Sequence, residues 1–414
     1  MTEPIRVLHF SDTHIGTESY GRTDPDSGLS SRVVDFLHRI DDMIEYAREN
    51  DVDLVLFAGD AFKNPMPNPT YQREFAHRVR DLAALAPVVL MIGNHDRTPS
   101  AIKATSIEIY DTLDVANVIV TQDYDVRQIE TKRGPVAVGS APYPLRSAIL
   151  ENLTTMGKTI AETDRILEEE LVRILDELAE KADTFDMPRV LVGHFTVGGA
   201  IVGSERGIML GRDVMVPKAI VADDRWDYVA LGHIHKHQNL TAGQEGVPPV
   251  VYSGSIERID FGEEGDPKGF CWVKLARGET EWDFVKLNAR PFVTLKADLR
   301  QSTDPTRAVL NLIGDHDLRQ AVVRVLLQFS PETEAQFNES LVREALRRAG
   351  AFYIAVIRKE VEQPARARLG ASPEGLTNDE LLERYFMSKE VPAPRRERLM
   401  DAANEIFETV DKLE

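Results

Sequence analysis

Metal-ligand side chains follow five short apolar segments of this 414-residue chain, each at the point where the segment ends. Carboxylate, amide and imidazole groups without thiolates suit hard or borderline divalent ions such as manganese, iron or zinc. These side chains are too many for one tetrahedral ion, but most of them could serve two ions that share a bridging carboxylate. They are Asp12, His14, Asp60, Asn94, His95, Asp96, His194, His233 and His235.

The apolar segments are predicted strands, and their carboxyl ends must bring these side chains together. Ligands of open α/β sheets gather at the carboxyl ends of strands, so one fold would place distant residues in one pocket. Asp12 and His14 are two positions apart at a strand end and therefore point to the same face, and His233 and His235 repeat this spacing. The strands are Ile5–Ser11, Asp53–Gly59, Pro87–Gly93, Arg189–Gly193 and Tyr228–Gly232.

Each of these signals has an ordinary explanation when it is considered alone. An Asp-x-His sequence is usually a turn or a capping feature, and Gly-Asp after a strand is a common start of a loop. Five apolar strands that all end in ligand residue types are hard to reach by accident. The combination therefore predicts a metal site.

The elements between these strands predict a layered α/β architecture. Helical periodicity alternates with the strands through the first half of the chain. After Val229 the pattern changes to strands without helices, which predicts a second sheet packed on the first. The predicted helices are Ser30–Asn50, Thr70–Leu85, Ile102–Leu113 and Thr159–Ala182, and the later strands are Val250–Ser253, Gly269–Leu275 and Thr280–Leu287.

The character of the chain changes again near Asn288, which predicts domains at 1–289, 290–362 and 374–414. The middle one reads as a compact α+β unit, with helices Pro305–Ile313 and Glu332–Arg348 among strands Phe292–Leu299, Ala321–Phe329 and Ala351–Glu360. Gln363–Pro373 has the composition of a linker. The last domain is a predicted hairpin of helices Thr377–Ser388 and Ala393–Leu413, whose apolar stripes either pack on the body or dock on a partner.

The composition is that of a globular chain without a membrane span or signal peptide, with 43% hydrophobic and 28% charged residues. The net charge of −19 argues against nonspecific nucleic-acid binding by the whole chain, but not against local phosphate binding beside cations. Cys271 is the only cysteine, so no intramolecular disulfide can form. A reducing, cytoplasmic setting is expected.

Five sequence blocks resemble the signature motifs of calcineurin-like metallophosphoesterases. The run Tyr252–Arg258, continued by Asp260–Glu263 and Lys268–Phe270, is similar to SbcD-type DNA repair nucleases, the nuclease subunits of SbcC–SbcD complexes. The resemblance is closer over the first 290 residues than beyond them. The blocks are Asp12-Thr13-His14, Gly59-Asp60, Gly93-Asn94-His95-Asp96, Gly193-His194 and Gly232-His233-Ile234-His235.

The resemblance implies a layered α-β-β-α sandwich with an α+β capping domain that binds DNA and a C-terminal helical hairpin. It also implies two divalent metal ions, with Mn²⁺ expected. Carried over position by position, Asp12, His14 and His235 bind one ion, Asn94, His194 and His233 bind the other, and Asp60 bridges them.

Four further residues are candidates for contact with the substrate or for its support. The resemblance makes His95 the general acid or phosphate-stabilising group. Asp96 could orient His95, or it could equally cap a turn. Lys63 and Arg97 are candidates for phosphate contact, although relatives often have a histidine where this chain has Lys63.

The implied activity is exonuclease and endonuclease cleavage of duplex ends and hairpins in DNA repair, together with an SbcC-type coiled-coil ATPase. A small-molecule phosphodiesterase or phosphatase with the same metal core is the alternative, but it leaves the capping domain and the hairpin without a purpose. A non-catalytic scaffold is disfavoured because every ligand position holds a competent residue. A homodimer is also implied, through apolar helix faces within Thr70–Leu113 that could equally be core.

Overall fold

The computed structural model describes residues 3–97, 104–150, 158–203, 213–362, 377–389 and 391–410. The strands of its first sheet are β1 (Ile5–Phe10), β2 (Leu54–Phe57), β3 (Val88–Met91), β4 (Val118–Thr121), β13 (Gly269–Leu275) and β14 (Glu281–Lys286). They lie in the order β14-β13-β1-β2-β3-β4. The first four of them in the chain run parallel, and β13 lies antiparallel to β1 and to β14.

The strands of the second sheet are β5 (Asp125–Thr131), β6 (Gly134–Ala141), β7 (Arg189–His194), β10 (Tyr228–Gly232), β11 (Gln238–Asn239) and β12 (Val250–Tyr252). These six strands lie in the order β11-β12-β10-β7-β6-β5. A small pair, β8 (Thr196–Val197) and β9 (Met215–Val216), follows the end of β7.

The prediction that the late strands form a second sheet is wrong in part. Only β12 joins the second sheet, beside β10. The strands β13 and β14 return to the first sheet and extend it beyond β1. β12 and β13 are both short apolar strands, and β14 mixes charged with apolar residues. Long-range hydrogen bonding therefore decides which sheet each one joins.

Alternating side chains divide the sheets and helices into four layers. Val55 and Phe57 of β2 face helices α1 (Ser31–Glu49) and α2 (Pro69–Ala83) in one buried cluster. Leu54 and Leu56 face the other way, into the core between the two sheets. Helix α5 (Ile160–Asp183) covers the second sheet through its leucines, and α4 (Arg146–Leu150) packs in the same cluster. The short helix α3 (Ile109–Thr112) instead buries Tyr110 in the cluster of the first sheet. The layered α-β-β-α sandwich is therefore confirmed.

Local capping signals decide where several helices begin. The Ser30 hydroxyl accepts a hydrogen bond from the Arg32 amide, so Ser30 is the N-cap and α1 begins at Ser31. The predicted helix Ile102–Leu113 is wrong over its described part, where only Ile109–Thr112 is helical. Residues 102–103 lie outside the described residues.

The predicted helix Glu332–Arg348 is two helices, Pro331–Gln336 and Glu339–Arg348. Phe337 is extended between them. A capping box of Ser330 and Thr333 begins the first helix, and the Asn338 side chain accepts a hydrogen bond from the Leu341 amide at the start of the second. The second cap therefore breaks the periodicity that predicted one helix.

The strands β15 (Phe292–Asp298), β16 (Val322–Phe329) and β17 (Tyr353–Val361) form a three-stranded sheet in that order. The helices of this part and of the C-terminus are Pro305–Gly314, Asn378–Ser388 and Ala393–Val410, and a short helix, Lys218–Val221, precedes β10. Contacts divide the chain into one unit of Met1–Leu295, Leu312–Val325 and Arg343–Ile357 and another of the remaining residues. The predicted linker Gln363–Pro373 lies outside the described residues. No helix in the described part of the chain is long and apolar enough to cross a membrane.

Candidate metal centre

The carboxyl ends of β1, β2, β3, β7 and β10 meet in one buried cluster of polar side chains. Its centre is the carboxylate of Asp60, which follows β2 and is 1% exposed. The Oδ2 atom of Asp60 lies 3.4 Å from Nε2 of His194 and 3.6 Å from Nε2 of His14. Strands of both sheets therefore converge on one carboxylate.

Asp12, His14 and His235 form a group on one side of Asp60. Their ligand atoms lie within 4.8 Å of one another. The Nε2 atoms of His14 and His235 face each other at 3.0 Å, and Oδ1 of Asp12 is 3.9 Å from the same His14 nitrogen. A divalent cation would satisfy this convergence of imidazole nitrogens and carboxylates.

Asn94, His194 and His233 form a second group beside Asp60. Oδ1 of Asn94 is 2.9 Å from Nε2 of His194 and 2.8 Å from Nδ1 of His233. An amide oxygen and two imidazole nitrogens would be suitable ligands for a second cation. The structure therefore brings together all seven residues that the sequence assigned to metal binding.

Hydrogen bonds to the remote nitrogens fix the orientation of three of these rings. Nδ1 of His194 donates to the Ala58 carbonyl at 2.6 Å, and Nε2 of His233 donates to Oδ2 of Asp213 at 2.8 Å. Nδ1 of His235 pairs with Oε1 of Glu263 at 2.9 Å. The nitrogen that faces the cluster is then the one left to bind an ion, as in many metal sites.

The backbone at the strand ends is strained to aim these side chains. Asp12, His14, Asp60 and His233 have φ angles of 53°, 38°, 61° and 89°, in the left-handed region that non-glycine residues rarely adopt. Such strain concentrates at functional sites, where the surrounding fold enforces it. A Cβ atom at Gly93 would lie 2.1 Å from Oδ1 of Asp60, so this glycine leaves the space that the carboxylate fills.

The electrostatics of the buried cluster favour the charge state that a cation requires at Asp60 and His14, but not at His194. Burial would raise the pKa of the Asp60 carboxyl, but the His194 and His14 rings hold it well below its usual range. Burial, and then the His235 ring, lowers the pKa of His14 well below its usual value, which keeps the ring neutral. Against burial, Asp60 raises the pKa of His194 to about 9, so metal binding must displace a proton there. The residues fit a pair of divalent cations.

His95 lies beside this cluster, as the sequence predicts. Its backbone amide donates to Oδ1 of Asp60 at 2.8 Å, and its Nδ1 donates to the Lys63 carbonyl at 3.2 Å. The ring also lies 4.9 Å, edge to face, from the ring of His14. His14, Asp60 and His95 form a further group of possible ligands, so the geometry alone also admits His95 as a metal ligand.

The contacts of Asp96 favour the turn-cap interpretation over the orientation of His95. Its buried carboxylate accepts hydrogen bonds from the amides of Gly93, Ala61 and Phe62, at 3.0, 3.2 and 3.1 Å. The ring of His95 is instead held by a backbone carbonyl. Asp96 thus joins the turn after β3 to the turn after β2.

The two candidate phosphate contacts differ in position. Lys63 lies beside His95, since its carbonyl accepts from Nδ1 of that ring at 3.2 Å, and its charge contributes to the lowered pKa of His14. Arg97 instead donates from Nη2 to the Gln122 carbonyl, just beyond β4, at 3.1 Å. The structure therefore places Lys63 at the cluster and engages Arg97 with the backbone.

Sequence reasoning missed the two carboxylates that hold His233 and His235. Asp213 also accepts from the hydroxyls of Tyr143 and Thr196, at 2.7 and 3.0 Å. No strand-end pattern marks Asp213. Glu263 stood within a motif of the resemblance, but nothing in the spacing indicated that it reaches His235.

The fold is that of a phosphoesterase of the layered α/β class, and the cluster offers ligand groups that fit divalent metal ions. Residues 5–237 match the family model of the calcineurin-like phosphoesterases. The match covers more than half of the chain, and the chain belongs to this family.

Two curated relatives extend the similarity, and both are SbcD subunits of SbcCD nucleases. The relative from Rhodobacter capsulatus is 27% identical over 397 residues, which cover 90% of this chain and 91% of that protein. The relative from Bacillus subtilis is 25% identical over 301 residues, 71% of this chain and 72% of that protein. Among solved structures, a dimetal phosphatase from Danio rerio has a TM-score of 0.40 and 11% identity, over 68% of this chain and 99% of that one.

Proposed function

We propose that this protein is a two-metal-dependent DNA nuclease. The observation that carries the proposal is the carboxylate of Asp60, which lies between two separate groups of ligand side chains. Two cations that share one bridging carboxylate are typical of enzymes that cleave phosphate esters by in-line displacement. Asp12, His14 and His235 would hold one ion, and Asn94, His194 and His233 the other.

The choice of DNA as substrate rests on the relatives. Both curated relatives are named as the SbcD component of an SbcCD nuclease, and one of them aligns with 90% of this chain. That alignment reaches far beyond the phosphoesterase match at residues 5–237. A capping domain at 290–362 that binds DNA, and a hairpin at 374–414 that binds an SbcC-type ATPase, would give these later residues a purpose.

The metal ions, with Mn²⁺ expected, would supply an acidified water nucleophile and neutralise charge on the phosphate. His95 would protonate the departing 3′-oxygen. Its Nδ1 is already engaged with the Lys63 carbonyl, so Nε2 of the protonated ring is the atom that can donate. The Lys63 ammonium would attract the phosphate as a point charge.

The test compares two substrate classes with one protein preparation. Purified protein with MnCl₂ is incubated with linear duplex and hairpin DNA, and in parallel with p-nitrophenyl phosphate and its diester. We expect the wild-type protein to degrade DNA and a chelator to stop this activity. The Asp60→Asn variant should show no degradation. Turnover of the small esters alone would identify a small-molecule phosphodiesterase or phosphatase and refute the nuclease.

A further inference from the structure

A buried ion pair stands directly behind one of the proposed metal ligands. Nζ of Lys268 lies 2.8 Å from Oε2 of Glu263, and both residues are at most 2% exposed. The other carboxylate oxygen of Glu263 pairs with Nδ1 of His235 at 2.9 Å. One carboxylate therefore links a lysine to an imidazole that faces the metal cluster.

The same pair also holds the backbone of His235. Lys268 donates to the His235 carbonyl at 3.1 Å and to the Ser255 hydroxyl at 2.7 Å. The ring of His235 is thus held through Glu263 and its main chain through Lys268. Glu263 is itself fixed at the end of a short 3₁₀ turn, Phe261–Glu263, and accepts from the Ile259 amide at 3.0 Å.

Two of the other imidazole ligands have different partners. His194 donates to the neutral carbonyl of Ala58, and His233 to Asp213, whose other partners are hydroxyl groups. Only at His235, among the described ligands, is the partner carboxylate paired with a buried lysine. Buried ion pairs often stabilise a fold no better than apolar residues of the same size, so stability alone does not explain this pair.

We propose that Lys268 and Glu263 are positioning residues that together fix His235 for one of the two metal ions. The inference rests on the proposed metal centre. A carboxylate on the remote nitrogen sets the tautomer and the direction of the ring and increases its basicity as a ligand. Lys268 keeps that carboxylate ionised in a buried place and stops it from turning away.

The test measures metal affinity and stability separately in the full chain. Mn²⁺ is titrated calorimetrically into metal-free wild type, Glu263→Gln, Lys268→Met and the double variant. Unfolding of each metal-free protein is followed by chemical denaturation. Each single variant should bind one Mn²⁺ about 10–100-fold more weakly, leave the second affinity unchanged, and lose stability.

The double variant separates positioning from a structural role. Removing both charges leaves no unpaired buried ion, so stability should recover towards the wild type while the weakened Mn²⁺ affinity does not. Arg277→Met is the control. In a separate ion pair, Nη1 of Arg277 lies 2.8 Å from Oδ1 of the buried Asp227, so the variant leaves that carboxylate without its cation. It should lower stability only.

Recovery of the Mn²⁺ affinity together with stability, or unchanged affinity in the single variants, would overturn the positioning role. A wild-type protein that binds fewer than two ions would instead refute the metal centre, and the positioning role with it. The wild-type titration alone therefore distinguishes failure of the proposed metal centre from failure of the positioning role.

Discussion

At the scale of single residues, the backbone of the centre is strained and its side chains make different kinds of contact. Asp60 lies between both ligand groups, whereas His95 contacts the cluster mainly through its own amide. Asp96, although adjacent in sequence, has its carboxylate taken up by three backbone amides. Substitutions of neighbouring residues in one motif are therefore expected to have different effects.

His95→Ala is expected to lower kcat by about 10²–10⁴-fold while both metal ions stay bound, because the residue is assigned to the leaving group. Activity on duplex DNA and elemental analysis of bound manganese measure the two effects. Asp60→Asn is the contrasting variant and should lower the affinity for both metal ions. Loss of one ion equivalent in His95→Ala would show that the ring is a ligand, as its group with His14 and Asp60 permits.

Gly93→Ala is expected to disrupt metal binding although it replaces none of the assigned ligands. The new Cβ would lie 2.1 Å from Oδ1 and 2.4 Å from the amide nitrogen of Asp60, so the carboxylate proposed to bridge the ions must move. Overpacking of this kind also costs roughly 1–3 kcal/mol of stability. Manganese titration measures the first effect, and Gly265→Ala, whose Cβ would meet nothing within 4 Å, is the matched control. Equal affinities in the two variants would contradict the expectation.

At the scale of elements, the two C-terminal helices show why an apolar stripe alone cannot identify its partner. Tyr385 and Met387 of helix Asn378–Ser388 are 50% and 58% exposed, and Leu399 of helix Ala393–Val410 is 37% exposed. Phe386 is half-buried, and the side chain of Phe407 lies outside the described residues. Large exposed apolar side chains on a helix pair suit docking on a partner.

Truncation after Gly370, a position outside the described residues, should leave the fold and Mn²⁺-dependent nuclease activity largely intact. It should remove co-purification with an SbcC-type ATPase, because the helices Asn378–Ser388 and Ala393–Val410 are absent. Tyr385→Ala should weaken the same co-purification, whereas Arg398→Ala, an exposed polar change on the second helix, should not. Unfolding of the truncated chain would instead show that the stripes are internal core.

At the scale of the whole molecule, the predicted dimer depends on which apolar side chains are exposed and which are already buried in the core. In α2 the side chains of Phe75, Val79 and Leu82 are buried in the core against the first sheet. In the predicted interface segment, Ile109 and Leu113 remain 49% and 67% exposed. The α2 stripe is therefore core, and among the residues of this segment that the structure describes the dimer prediction now rests on Ile109 and Leu113.

Sedimentation is expected to show a homodimer at micromolar concentration, and Leu113→Asp should shift it towards the monomer. A charge in an apolar interface is costly because it loses its hydration. Ile160→Asp is the matched control, since Ile160 is 81% exposed elsewhere on the chain and should have no effect. A wild-type monomer would refute the dimer, and an equal effect of both variants would place the interface elsewhere.

Much of the candidate centre could be predicted from the sequence because its signals are local. An apolar run predicts a strand, a glycine permits the turn, and the next residue is the ligand, so Asp60, Asn94, His194 and His233 could each be found within a few residues. Asp12 follows its apolar run after Ser11 instead of a glycine. Ligand position at strand ends is a rule of open α/β sheets that does not require the complete topology.

The tertiary structure alone decided which distant groups support those ligands. Glu263 and Asp213 reach His235 and His233 through packing, and neither has a local pattern that marks its role. The same holds for β13, which returns to the first sheet although it is an apolar strand like β12, and for β14, which extends that sheet beyond β13. Whether a segment forms a strand depends largely on residues close to it in the sequence. Which strands pair, and which buried ion pairs form, depends on contacts between segments far apart in the chain.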